Sequence, residues 1–293
     1  MNHIRKFVFL ILIVVSGACW WKSLIAASQL ALANDAYTYI LLVLPLSIAL
    51  IYHNRKAFRS RSGEGALWGA VLMSVGALIG LVMATEVWAV SPDNRLTFSM
   101  AGLVIFWIGS TIVCFGWIAI RNNVFPLCFL FLMVPPPERT VALITELLQR
   151  ESAWASAVLF RVAGVPVARA GIVLSIPGLD IEVAKECSSI RSSTMLILIT
   201  LILAHLFLRT WPRKTLLVLA AIPLSFVKNG IRIFTIAELG TRVDPGFLDG
   251  RLHHDGGIIF LALAVMLIVI LLLALRKTET RGVPQKEPSA VLS

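Results

Sequence analysis

Charge is scarce in this chain. Only 14% of its 293 residues are Asp, Glu, Lys or Arg, against about a quarter in an ordinary soluble domain. That shortage, beside 58% hydrophobic residues, excludes a soluble globular enzyme and equally a disordered chain. Cysteine is sparse as well. Four are present without regular spacing, so no disulfide framework is written into the chain. Paired metal-ligand spacings such as C-x-x-C or H-x-x-x-H are absent. Cys187, His253, His254 and Asp255 include metal-ligating types, yet without such pairing no metal and no cofactor is expected. There is no internal repeat and no long linker.

What is there, in abundance, is apolar sequence. A transmembrane helix needs about 20 apolar residues. Eight hydrophobic runs of that order follow one another, at 7–22, 37–53, 66–86, 98–119, 124–136, 189–208, 215–235 and 257–275. The fifth is short and ends in Pro135, Pro136 and Pro137, which predicts a tilted, half-buried or broken helix. The expected fold is an all-α polytopic membrane protein with about eight transmembrane helices.

The few charges then set the orientation. Arg5 and Lys6, the loop from Arg55 to Arg61, Arg121, the Arg209–Lys214 segment and the tail from Arg276 hold 14 of the 26 basic residues, with three acids. The rest of the chain holds 12 basic and 13 acidic residues. The whole formal excess of +10 therefore lies on one side, which predicts both termini in the cytoplasm. Dispersal of the basic residues over five short segments removes the case for a nucleic-acid partner. The first run, with Ser-Gly-Ala-Cys at 16–19, is expected to be a retained anchor rather than a cleaved signal. Residues 276–293 read as a basic cytoplasmic tail.

The longest outer segment, 137–188, changes period. Val141, Leu143, Ile144, Leu147 and Leu148 predict an amphipathic helix over 138–150 on the membrane surface. A second short helix is expected over 153–165. Ile172, Leu174 and Ile176, then Ile181 and Val183, alternate around Pro177-Gly178 and predict a β-hairpin. It runs straight into Cys187 and the sixth span.

Polar residues converge at the outer ends of the last three spans. Cys187 stands at the start of the sixth, where a helix N-terminus and Arg191 would favour a thiolate. Cys19, Cys114 and Cys128 lie inside apolar runs and read as packing residues. Near the outer end of the seventh span, Asn229 and Arg232 share a face one turn apart. A charge there must reach the interface, pair, or meet an anion. A guanidinium and an amide aimed at one point suit an oxyanion or a substrate backbone. His253 and His254 precede the eighth span and offer a general base near neutral pH. Arg191, Lys228, Glu186 and Glu238 read as ion-pair or interface residues. A thiol, an arginine and a histidine at one depth are what nucleophilic catalysis at a membrane surface requires. A membrane acyl or lipid transferase using the same thiol stays open. So does a transporter for an anionic solute, although that class favours symmetric halves and polar groups at the midplane.

Three motifs in this order resemble the exosortase/archaeosortase family of membrane cysteine transpeptidases. Glu-Cys-Ser-Ser-Ile-Arg-Ser-Ser at 186–193 is similar to its nucleophile motif, Asn-Gly-Ile-Arg at 229–232 to its Asn-x-x-Arg motif, and His-His-Asp-Gly-Gly-Ile-Ile-Phe at 253–260 to its histidine motif. Residues 126–149 and the hairpin also look like the family's segments before the nucleophile. The resemblance covers about 120–260, and residues 1–119 match in hydropathy alone. It divides the chain into N-terminal transmembrane helices (1–119), a catalytic core (120–275) and the tail (276–293). Ser189 and Glu186 depart from the Gly and small residue frequent there.

The resemblance implies that Cys187 is the nucleophile and Arg232 the oxyanion or substrate stabiliser. Asn229 and Arg191 would support them. His253 would be the general acid/base, chosen over His254 because it precedes Gly257 by four residues. It further implies a bacterial inner-membrane location with the site on the periplasmic face, and membrane lipid around the spans. The implied substrates are exported proteins ending in a Pro-Glu-Pro-type motif, a hydrophobic helix and a basic tail.

Overall fold

The computed structural model describes residues 2–55, 65–85, 89–183, 190–246 and 257–281. Among them the fold is all-α apart from one small sheet. Six helices are long and apolar enough to cross a membrane, or up to eight if each of two bent helix pairs is one span. The eight apolar runs are thus the framework of an all-α polytopic membrane fold. Contacts divide the chain into two compact units, 1–142 and 143–293.

The first unit opens with α1 (Asn2–Cys19) and α2 (Trp21–Ala33), bent by 71° at Trp20. The expected first span ran through that bend, and α2 was not foreseen. Then come α3 (Ile40–His53), α4 (Ala66–Ala84) and α5 (Pro92–Phe115). Helices α4 and α5 approach until backbones touch. A Cβ on Gly76 would stand 2.6 Å from the carbonyl oxygen of Gly102, and one on Gly109 2.6 Å from the amide of Met73. Small residues two turns apart make this seam, as in many membrane helix pairs. Buried indoles lock α1 and its bend to α5: Trp107 Nε1 donates to Ser16 Oγ at 2.9 Å, and Trp20 Nε1 to the Ser99 carbonyl at 3.0 Å.

The expected span at 98–119 stops short. Gly116 takes a φ of +80°, and α6 (Trp117–Asn122) follows as a separate helix. The fifth run divides into α7 (Val124–Phe129) and a 3₁₀ turn at Leu130–Met133. Together they rise about 17 Å, roughly half the hydrocarbon thickness. The backbone carbonyls of two of the prolines that stop this segment find side-chain donors. Thr97 Oγ1 donates to the Pro135 carbonyl at 2.8 Å and Tyr37 Oη to that of Pro136 at 3.2 Å. A broken helix is tolerable at membrane depth only when its polar groups are satisfied in this way.

Helix α8 (Glu138–Val162) carries the chain into the second unit. Two short helices were expected over 138–165. One continuous helix of 25 residues forms instead, because nothing at 150–153 breaks it and its buried positions run on from Leu148 to Phe160. Its first half keeps the expected amphipathic character, with Leu143, Ile144 and Leu147 exposed. The hairpin forms as β2 (Val173–Ile176) and β3 (Leu179–Glu182), antiparallel around Gly178, whose φ is +83°. A further strand, β1 (Ala168–Ala170), pairs with β2 and completes a three-stranded sheet in the order β1-β2-β3.

Among the described residues three helices follow: α9 (Ile190–Phe207), α10 (Trp211–Arg242) and α11 (Gly257–Arg281). They bury Leu196, Ala204, Leu217, Ala221, Ala264 and Ile268 in a shared core. At one end Glu279 of α11 accepts from the backbone amides of Arg209 (3.1 Å) and Thr210 (2.8 Å) and pairs with Arg213 at 3.3 Å. This carboxylate caps the start of α10 and ties the α9–α10 turn to α11. The opposite end is the start of α9, the far part of α10 and the start of α11. Helix α10 runs longer than the expected 215–235 because its distal residues Ile233 and Ala237 are buried against Ala153, Ala157 and Phe160 of α8 and against Leu174 and Ile176 of the sheet.

Candidate active site

The polar residues of α10 gather in one short run. Lys228 is 4% exposed, Asn229 1% and Arg232 8%. Trp211 begins the helix, and Arg232 lies 21 residues on, about 32 Å along the axis. That length matches one hydrocarbon thickness of about 30 Å. The 10 residues beyond Arg232 pack on α8 and the sheet. The run therefore sits where the bundle of three helices meets this smaller module.

Helix α8 supplies the facing surface. Asn229 Nδ2 donates to Ser152 Oγ at 2.9 Å. Ser156 Oγ donates to the Ser152 carbonyl at 2.8 Å and lies 3.3 Å from the Gly230 carbonyl. The two helices come this close because position 230 has no side chain. A Cβ there would stand 2.7 Å from Ala155 Cβ. One turn earlier on α8, Gln149 Nε2 donates to the Val183 carbonyl at 2.7 Å. That bond holds the chain at the exit of β3, four residues before Cys187 in sequence.

Helix α9 supplies the other side. Lys228 Nζ donates to Ser192 Oγ, five residues after Cys187 in sequence. Lys228, read as an ion-pair or interface residue, thus meets a hydroxyl at the α9–α10 interface. Ser193 Oγ is buried without a hydrogen-bond partner among the described residues. Arg191 is exposed at the start of α9. Glu238, also read as an ion-pair residue, pairs with Arg242 at 2.9 Å.

Cys187, His253, His254, Glu186 and Asp255 lie outside the described residues. The structure brings Asn229 and Arg232 to one buried run, with Arg191 at the same end of the bundle. Among the described residues no cluster of His, Cys, Asp and Glu has metal-binding geometry. Of the other cysteines, Cys114 is buried beside Phe115 and Ala119 as expected of a packing residue. Cys19 and Cys128 are exposed instead, on helices whose outward faces are apolar.

The family model for transmembrane exosortases (Exosortase_EpsH) matches residues 20–270. The chain belongs to the transmembrane exosortase family. Comparison with curated proteins and with solved structures finds no match. The family match begins at residue 20, well upstream of the stretch from about 120 that carries the motif resemblance. Membership carries a membrane transpeptidase role of the cysteine type, within a multi-pass membrane protein.

Sequence reasoning missed Gln149, Ser152 and Ser156 in this exosortase. Their signal was available. They recur at three- and four-residue spacing in a helix read only for its apolar stripe, and together with Ala153 and Ala157 they form a small, polar face. Lys228 was noticed, but its burial against Ser192 was not legible.

Proposed function

We propose that this exosortase is a cysteine peptidase and transpeptidase that removes C-terminal sorting signals from exported proteins at a bacterial inner membrane. Its substrates carry a Pro-Glu-Pro-type motif, a hydrophobic helix and a basic tail. The helix lies in the bilayer beside the enzyme's spans, and the motif emerges on the periplasmic side. The Arg209–Glu279 end of the bundle faces the cytoplasm with both termini, and the Arg232 end faces outward.

Cys187 attacks the scissile carbonyl as a thiolate. An S–C bond forms, and the carbonyl oxygen takes the negative charge. Arg232 meets that oxyanion with its fork of N–H donors, and Asn229 orients the substrate beside it. His253, with His254 the runner-up, accepts the thiol proton and passes it to the leaving amine as the C–N bond breaks. A nucleophilic acceptor then resolves the thioacyl-enzyme. Arg191 adds positive charge near the thiolate. No cofactor or metal takes part in these steps.

The observation that carries this reading is the burial of Asn229 and Arg232 at the end of α10 shared with the starts of α9 and α11. Those two helices follow Cys187 and His253 directly in sequence. An ionisable side chain buried in a membrane-spanning helix marks a functional site by default. The deciding experiment is Cys187→Ala, followed by the size shift of a tagged substrate in the same membrane. Full-length substrate should accumulate while the variant remains inserted at its normal level. Maturation at the ordinary rate would remove Cys187 as nucleophile.

A further inference from the structure

We propose that the first unit binds an anionic phospholipid by its phosphate, in a groove between α2, α4 and α5. This inference is independent of the transpeptidase reading, because no residue of the candidate active site contributes to it. The groove has a volume of about 910 Å³. Its rim carries Lys22 and Arg95, and its walls include Ala77 and Leu81. Trp20 forms the floor and packs on Gly80, where a Cβ would stand 2.2 Å from the indole.

Depth argues for a lipid. Helix α4 ends at Ala84 and α5 begins at Pro92, so Arg95 stands in the first turn of a membrane-crossing helix, at headgroup level. Ala77 and Ser99, seven residues in from those ends, lie about 10 Å deeper. The groove is therefore cationic where a phosphate sits and mostly apolar where an acyl chain begins. The polar groups of the floor are already satisfied: Trp20 Nε1 bonds the Ser99 carbonyl at 3.0 Å, and Ser23 and Ser99 share a hydroxyl–hydroxyl bond of 2.8 Å. The floor thus leaves the headgroup to the rim.

Charge argues for an anion. Among the described residues the groove is lined by Lys22 and Arg95 and by no carboxylate, and Glu86 lies outside them. Asp93, in the same first turn of α5, lines a separate groove with Glu138 and Arg139. Lys22 is exposed and approachable from the headgroup layer. Arg95 has five N–H donors and can hold a phosphate oxygen while keeping a contact within the protein. Leu78 and Leu81 on the flank of α4 are 61% and 63% exposed, so the groove opens sideways towards lipid.

The test is native mass spectrometry of the full-length protein released from nanodiscs containing equal phosphatidylglycerol and phosphatidylcholine. Wild type should retain phosphatidylglycerol in preference. Lys22→Gln and Arg95→Gln should each lower that preference about fivefold, the value of one cation near an anionic surface. Ala77→Phe fills the slot without touching charge and should abolish retention, which keeps the proposal testable if a charge variant fails to fold. Millimolar inorganic phosphate should leave the bound lipid in place. Equal retention of the two lipids by wild type would overturn the proposal. So would unchanged preference in the folded charge variants, or displacement by inorganic phosphate, which would mark a site for free anions only.

Discussion

Two close helix contacts, one in each unit, use the same device for different ends. In the first unit α4 and α5 meet through Gly76 and Gly102, where a Cβ at 76 would come within 2.6 Å of a backbone oxygen. In the second, α8 and α10 meet through Ala155 and Gly230, where a Cβ would come within 2.7 Å. Around Gly76 the neighbours are backbone atoms of Gly102 and Phe106. Around Gly230 they are Ala155 Cβ and backbone atoms of Ala155 and Ser156, and beside that contact Asn229 donates to Ser152 Oγ and Ser156 Oγ lies 3.3 Å from the Gly230 carbonyl. Close approach gives packing in the first case. In the second it also draws hydrogen-bonding groups together out of water, where each bond is worth more and each loss costs more.

The comparison is broken most severely by filling either contact. Gly76→Leu and Gly230→Leu each force backbone movement and should each cost about 2–4 kcal/mol, as overpacking of a tight site does. They should differ in activity. The fraction of Gly76→Leu protein that stays folded should process substrate at near the wild-type rate. Folded Gly230→Leu should be at least tenfold slower, because the displaced segment carries Asn229 and Arg232. Thermal melts in detergent beside per-molecule processing rates separate the two, and equal residual rates would erase the distinction.

A smaller effect should follow from Lys228→Met. The apolar replacement keeps the side chain out to Cε but removes the nitrogen that donates to Ser192 Oγ. Loss of this part-buried hydrogen bond costs about 0.5–1.5 kcal/mol, corresponding to about 2- to 13-fold if it falls wholly on the reaction. Processing should fall mainly in kcat, with KM for a sorting-signal peptide little changed, because Lys228 ties α9 to the face that carries Arg232. A fall in stability with kcat intact would reduce Lys228 to a structural tie.

The least disruptive pair sharpens the contrast. Ser152→Ala removes the hydroxyl that accepts from Asn229, and Tyr37→Phe removes the hydroxyl that donates to Pro136. Each should cost about 1 kcal/mol. Ser152→Ala should lower both stability and processing, whereas Tyr37→Phe should lower stability alone. Equal effects on processing would mean that the polar face of α8 has no special connection with catalysis.

Much of the fold was legible because membrane helices obey a simple rule. Long apolar runs become helices, and α3, α4, α5, α9, α10 and α11 arise where the runs lie. The hairpin was legible for the same kind of reason: Leu174 and Ile176 alternate in sequence and are both buried. The bend at Trp20 was not, since the bond that holds Trp20 there runs to the distant carbonyl of Ser99. The continuity of α8 was obscured because its second half is held by small and polar residues rather than by an apolar stripe. Of the candidate site, Asn229 and Arg232 were evident as polar groups in apolar sequence. Ser152 was not, because serine is unremarkable until another helix faces it.

Hydropathy by itself determined that this is a helical membrane protein, and the three motifs pointed to the exosortase family that the family match shows, because each is a local property of the chain. Only the tertiary structure decided that Asn229 meets Ser152, that Lys228 meets Ser192, and that a proline break is held by Thr97 and Tyr37. Those pairings depend on how each helix is rotated about its axis. Rotation is set by where two backbones can approach, at Gly230 against Ala155 and at Gly76 against Gly102, and that is a property of two segments far apart in the chain.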